Sequence, residues 1–159
     1  LNRVAMERDL EREQAQARRT GRSFTIAMID ADHFKPVNDT YGHAFGDRVL
    51  ETLAERLIAS LRPRDAVYRY GGEEFLVLLP ETPLDAAAPV LERLRVQAGS
   101  REIGDAEHQI TQTISIGAVE LAADDPLEEA IGRADSALYR AKQAGRDRIE
   151  LAREQTTNA

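Results

Sequence analysis

The chain has 159 residues, 42% apolar and 31% charged, which fits one globular domain able to bury a real core. It contains no cysteine, excluding disulfides and thiolate metal sites, and no apolar run near the ~20 residues of a membrane span. With 28 acids against 21 lysines and arginines the net charge is −7, which argues against a duplex nucleic-acid binder but leaves room for a nucleotide held by a cation and a few local bases.

Residues 3–19, rich in Arg, Glu, Gln and Ala, predict a helix ending before Gly21, with a thin apolar stripe of Met6, Leu10 and Ala17. Phe24 to Ile29 is a strand apolar on both faces, hence central in its sheet, and it runs into Asp30-Ala31-Asp32. Carboxylates at the mouth of a buried strand are a rigid way to present metal ligands. The polar stretch from His33 to Asp47 reads as a short helix plus a loop. A helix then opens at Gly46-Asp47, with Asp as its cap, and buries Leu50, Leu53, Ala54, Leu57 and Leu61 before Pro63.

Val67, Tyr68 and Tyr70 form one strand and Phe75 to Leu79 the next, joined by Gly71-Gly72, a pair suited to the φ > 0 turns of tight hairpins. A structural hairpin has no need of two consecutive acids, Glu73 and Glu74, after its turn. Adjacent carboxylates raise each other's pKa, and a divalent cation completed by phosphate oxygens relieves the repulsion. A third helix follows Thr82-Pro83, with Leu84, Ala87, Leu91 and Leu94 inward and Arg93 away from that stripe. Residues 99–109 read as a loop, Thr111 to Val119 as a strand, and Leu127 to Ala141 as a last helix capped by Gly145. Residues 146–150 read as a charged edge strand, and 152–159 as a frayed tail. The fold class is therefore α+β, a mainly antiparallel sheet flanked by helices.

Ile29 to Lys35, Asn38 to His43, Gly46-Asp47, Arg69 to Phe75, Ser115-Ile116-Gly117 and Ala134 to Arg146 together resemble the GGDEF domain of bacterial diguanylate cyclases, in its GGEEF form. The resemblance covers residues 1–151, with Leu1-Asn2-Arg3 matching the end of the family's N-terminal segment, so the chain is expected to begin just inside the domain. It implies a palm-like fold shared with adenylyl cyclases and polymerases. It also implies a Mg²⁺-dependent enzyme, with Mn²⁺ as a possible substitute, that condenses two GTP into cyclic di-GMP.

Carried over by motif, Asp30, Glu73 and the Ala31 carbonyl are the expected metal ligands, and Glu73 the expected proton acceptor. Glu74 supports Glu73, touches a second metal or anchors a lysine. Lys35, Lys142 and Arg146 fit phosphates, with Phe34, Gly71 and Gly72 beside them. Asn38 and Asp47 are the expected readers of guanine, because an ionised Asp accepts from its N1–H and 2-amino donors. His43 bonds the sugar or packs its loop. Arg62 and Asp65 have the family's Arg-x-x-Asp placement for an inhibitory product site, joined by Arg93. The resemblance further implies a transient homodimer, an upstream sensory or regulatory domain, a cytoplasmic catalytic domain and no nucleic-acid polymer. Two rivals are a silent GGDEF module that binds GTP or cyclic di-GMP without turnover, and a palm-type enzyme acting on another nucleotide.

Overall fold

In the computed structural model, which describes residues 2–153, Phe24–Ala31 forms β1, and all 8 of its residues are buried. Both faces are covered because helices pack on both sides of the sheet. Ala27 and Ile29 belong to a core shared with α2 (Phe34–Tyr41), α3 (His43–Ala59) and α4 (Leu84–Ala98). Phe24, Ile26 and Met28 point the other way, toward α1 (Arg3–Thr20) and α5 (Leu127–Gln143). Alternation along one strand thus divides two cores, as the side-chain period of two requires.

The remaining strands of the main sheet are β2 (Ala66–Arg69), β3 (Glu74–Leu79), β6 (Ile114–Leu121) and β7 (Ile149–Ala152). Their order is β2-β3-β1-β6-β7, antiparallel throughout except for the parallel β6–β7 pair. This is the α+β, mainly antiparallel palm-like arrangement expected. The edge strand β7 runs to Ala152, which is buried, so the closing strand extends past the expected 146–150. Residues 154–159 of the expected tail lie outside the described residues.

Met6, Leu10 and Ala17 are the buried residues of α1, and Gly21 ends it in the left-handed conformation. The buried Tyr68 donates from its hydroxyl to Asp9 at 2.6 Å, fastening α1 to β2. Burial and the Asp9 carboxylate keep that hydroxyl protonated well above the ordinary phenol range. Between α5 and β6 the contact is closer still. A Cβ placed on Gly117 would stand 2.2 Å from the Leu138 amide nitrogen and 2.3 Å from the Ala134 carbonyl oxygen. The helix therefore lies directly on strand backbone.

Four expectations change. The helix α3 begins at His43 rather than at Gly46-Asp47, so Asp47 is an exposed residue within it and not its cap. Gly46 is kept inside the helix by packing: a Cβ there would sit 1.9 Å from the Asn38 side-chain oxygen and 3.0 Å from the Phe34 ring. The stretch 99–109 carries a small hairpin, β4 (Ile103–Gly104) paired with β5 (Gln109–Ile110), because buried Ile103 anchors it to the core. Finally, Gly71 and Gly72 do not have positive φ. The connection from Arg69 to Glu74 is four residues long, closed by bonds from the Tyr70 and Gly71 amides to the Glu74 carbonyl at 2.9 and 3.3 Å, and needs no left-handed turn. Tyr70 lies in this connection rather than in β2.

Candidate active site

Asp30 occupies the C-terminal end of β1 and is only 4% exposed. Across the β1–β3 ladder its partner is Glu74, and the Ala31 amide donates to the Glu73 carbonyl at 3.2 Å. The ladder thus brings the hairpin acids to the strand-end acid. Burial raises the Glu73 pKa above the ordinary range, and the nearby Asp30 carboxylate raises it further. Glu74 is raised by burial first, then by Asp30 and Asp135.

A cavity of about 220 Å³ opens here. Its acidic wall is Asp30, Asp32 and Glu73; the turn after β1 adds Ala31, His33, Phe34 and Pro36; and three cations, Lys35, Lys142 and Arg146, close it. Lys142, in the last turn of α5, is ion-paired with Asp30. Among the described residues no carboxylate lies within salt-bridge distance of Lys35 or Arg146.

At the hairpin tip, a Cβ on Gly72 would meet nothing within 4 Å and one on Gly71 only the Glu74 side chain at 3.6 Å. Neither backbone conformation nor internal packing calls for glycine at these positions. Arg69 steadies the tip by donating to the Gly71 and Gly72 carbonyls, both at 3.0 Å.

The other expected residues divide between three places. Asn38 lies one turn beyond Phe34 on α2, its side chain against Gly46, the residue before Asp47, at the α2–α3 seam. His43 is exposed at the start of α3. Glu74 does not line the cavity; it opens onto a groove of about 780 Å³ between α1 and α5, with Arg3, Tyr70 and Asp135. Arg3 lies over the Tyr70 ring, 4.4 Å from its centre.

Arg62 and Arg93 line a separate groove of about 860 Å³ beyond α3. Asp65 is not in that groove but buried behind it, where it receives the Arg62 guanidinium in two bonds of 2.9 Å and the Arg62 amide at 3.0 Å. Arg62 also donates to Thr82 at 2.9 Å, and Arg93 to the Ser60 carbonyl at 3.1 and 2.7 Å.

Asp30, Glu73 and the Ala31 carbonyl offer hard oxygens, and among the described residues no three His, Cys, Asp or Glu side chains gather as a self-sufficient metal cage. Mg²⁺ commonly takes one or two carboxylates and completes its shell with phosphate and water.

A family model described as "Diguanylate cyclase, GGDEF domain" matches residues 1–148. The chain belongs to this GGDEF family. The GGDEF domain is 44% identical over 151 residues to the diguanylate cyclase DgcP of Pseudomonas aeruginosa, covering 95% of this chain and 22% of that relative. The chain thus spans less than a quarter of DgcP. Among solved structures it is similar to the GGDEF domain of DgcB from Caulobacter crescentus in complex with c-di-GMP (TM-score 0.90, 35% identity, 96% of this chain and 91% of that one). It is also similar to the diguanylate cyclase SiaD in complex with its activator SiaC from Pseudomonas aeruginosa (TM-score 0.92, 41% identity, 95% and 58%).

Sequence reasoning gave no role to three residues of this GGDEF domain that shape the site. Asp32 was visible only as a second acid at a strand end, His33 turns the chain into α2 with φ of 54°, and Arg69 bonds the hairpin tip. Among the described residues no helix is long and apolar enough to cross a membrane.

Proposed function

We propose that this domain condenses two GTP into cyclic di-GMP with release of two pyrophosphates. One observation carries the reading. Two acids, Asp30 and Glu73, and three cations, Lys35, Lys142 and Arg146, converge on a single cavity beside a bare glycine loop in a chain of the GGDEF family.

At about 220 Å³ the cavity is smaller than the roughly 300–1,000 Å³ sites that enclose a whole small ligand, and it suits the triphosphate alone. The nucleoside then lies outside it, along the face of α2 that carries Phe34 and Asn38, with Asp47 accepting from guanine N1–H and the 2-amino group. Asp30, Glu73 and the Ala31 carbonyl would hold Mg²⁺, or Mn²⁺ in its place, which when bound neutralises phosphate charge and lowers the pKa of the attacking 3′-hydroxyl. Lys35, Lys142 and Arg146 bind phosphate oxygens and draw charge toward the leaving pyrophosphate. Glu73 accepts the hydroxyl proton.

Each 3′-hydroxyl attacks the α-phosphate of the other GTP, so two domains must face each other about a two-fold axis. The 860 Å³ groove with Arg62 and Arg93 is the proposed inhibitory site for product, since arginine forks match phosphates and the guanine O6/N7 edge. In the longer protein an upstream sensory or regulatory segment would bring the domains together in the cytoplasm.

The test is incubation with GTP and Mg²⁺ followed by chromatography of the nucleotides. Cyclic di-GMP and pyrophosphate are expected. Binding of GTP without turnover would replace this reading with the silent signalling module.

A further inference from the structure

We propose that Asp32 is a positioning residue: with Arg95 it clamps the turn that aims Arg146 into the cavity. The inference rests on the reading of that cavity as the triphosphate site.

Asp32 lines the same cavity as Asp30, yet its oxygens are already taken. One carboxylate oxygen accepts from Ser115 Oγ at 2.6 Å; the other accepts from Thr113 Oγ1 at 2.7 Å and from the Asp147 amide at 3.1 Å. Its backbone carbonyl accepts from Gln112 at 2.7 Å, and the side chain is buried. A carboxylate holding three donors is spoken for as an anchor, unlike Asp30, whose carboxylate has one donor among the described residues, Lys142.

What Asp32 anchors is an unusual backbone. Arg146 and Asp147 have φ of 64° and 46°, two consecutive non-glycine residues in the left-handed region. L-residues avoid this region, and such a pair persists where its surroundings over-determine it. Here the surroundings can be named. The Arg146 amide returns to the Ala141 carbonyl at 3.0 Å, closing the end of α5, and the Ile116 amide holds the Arg148 carbonyl at 2.9 Å. Between them, the Asp147 amide is held by Asp32 and its carboxylate by Arg95 of α4 at 2.8 Å.

Arg146 needs this support because its side chain has no hydrogen-bond or ion-pair partner among the described residues. Lys142 is located by Asp30, but no carboxylate lies within salt-bridge distance of Arg146 among the described residues, so its backbone sets its direction. Arg95 acts at a distance, since it lines none of the cavity.

The test compares binding of a non-hydrolysable GTP analogue with Mg²⁺, together with GTP KM and kcat, across a double-mutant cycle. Asp32→Asn, which turns an acceptor into a donor facing donors, and Arg95→Met should each weaken the analogue about tenfold, the scale of one charge-assisted contact. Neither should weaken it further when Arg146→Ala is already present, because the clamp then has nothing to aim. Glu92→Gln, which removes the other partner of Arg95 and leaves Asp147 in place, should bind like the parent. Parent-like binding by both clamp variants, or equal losses with and without Arg146, overturns the proposal. If Asp32→Asn does not fold, Arg95→Met decides the matter. A parent that binds no GTP analogue overturns the triphosphate reading itself, and the clamp with it; a binding parent with unaffected variants removes the clamp alone.

Discussion

Lys142, in the last turn of α5, is ion-paired with Asp30 at the end of β1, 112 residues away in sequence. The pair ties the final helix to the first strand and places one cation against three acids, Asp30, Glu73 and Glu74. Even so, the pKa of each glutamate stays raised, first because both are partly buried and then because Asp30 stands beside them, so the Lys142 ammonium does not offset both effects.

Glu73→Gln removes one of these raised carboxylates. Product formation should fall by about a thousandfold or more, since a proposed metal ligand and proton acceptor is lost from a site supplying several kcal/mol of charge stabilisation. The fold should gain. A carboxylate whose pKa is raised on folding binds more protons folded than unfolded, so its charge opposes stability as pH rises from the ordinary value of 4.5 through the folded one. Without Mg²⁺, Glu73→Gln should therefore melt at a higher temperature than the parent at neutral pH, and the gap should close toward pH 4. Thermal melts across pH, paired with turnover assays, check both signs.

Asp47→Ser should narrow the preference for GTP over ATP by about ten- to a hundredfold, the scale of an unpaired donor in a nucleotide site. Because Asp47 is exposed within α3 and does not cap it, stability should barely change. An unaltered ratio of GTP to ATP turnover would remove Asp47 as the base reader.

Product feedback should respond differently to three variants. Arg93→Ala removes an exposed guanidinium whose only partner among the described residues is the Ser60 carbonyl, and should relieve inhibition while leaving initial GTP turnover intact. Arg62→Ala should do the same but also strand the buried Asp65 carboxylate. Asp65→Ala should relieve inhibition and lower stability by about 1–3 kcal/mol, because it leaves the Arg62 amide without its acceptor and the guanidinium with Thr82 alone. Progress curves with added cyclic di-GMP, read beside melting temperatures, separate the effects; undiminished product binding by all three would remove the inhibitory site.

Dilution tests the assembly. In the proposed reaction each 3′-hydroxyl attacks the other GTP, so two domains are needed for each turnover. The rate should rise with about the square of enzyme concentration while monomer dominates, by mass action. A rate strictly proportional to enzyme across a wide dilution series, from a species that scatters light as a monomer, would rule out the facing pair.

The sequence announces those parts of the fold that periodicity controls. Leu50, Leu53 and Leu57, or Leu84, Ala87, Leu91 and Leu94, repeat at helical spacing and are buried as that spacing requires. Features set by contacts distant in sequence are silent there. Nothing local says that Gly46 belongs inside a helix; the Asn38 side chain lying where a Cβ would be is the reason. Glycine permits either sign of φ, so Gly71-Gly72 could not reveal the conformation they adopt. Two-residue strands such as Ile103–Gly104 carry no period to read. Around the cavity, the acids and cations were legible as motifs, whereas the anchoring of Asp32 to the Asp147 amide, 115 residues on, was not.

The helix that delivers Lys142 rests on the bare backbone of Gly117, and a whole class of mutation follows from that contact. One methyl group at position 117 would wedge α5 away from the sheet, carrying Lys142 and the turn after it off the cavity while every charged side chain kept its identity. In a random screen for inactive alleles, position 117 should turn up beside the acids and cations as a folded but dead product. The lesion would be one of alignment, with all the chemistry still present.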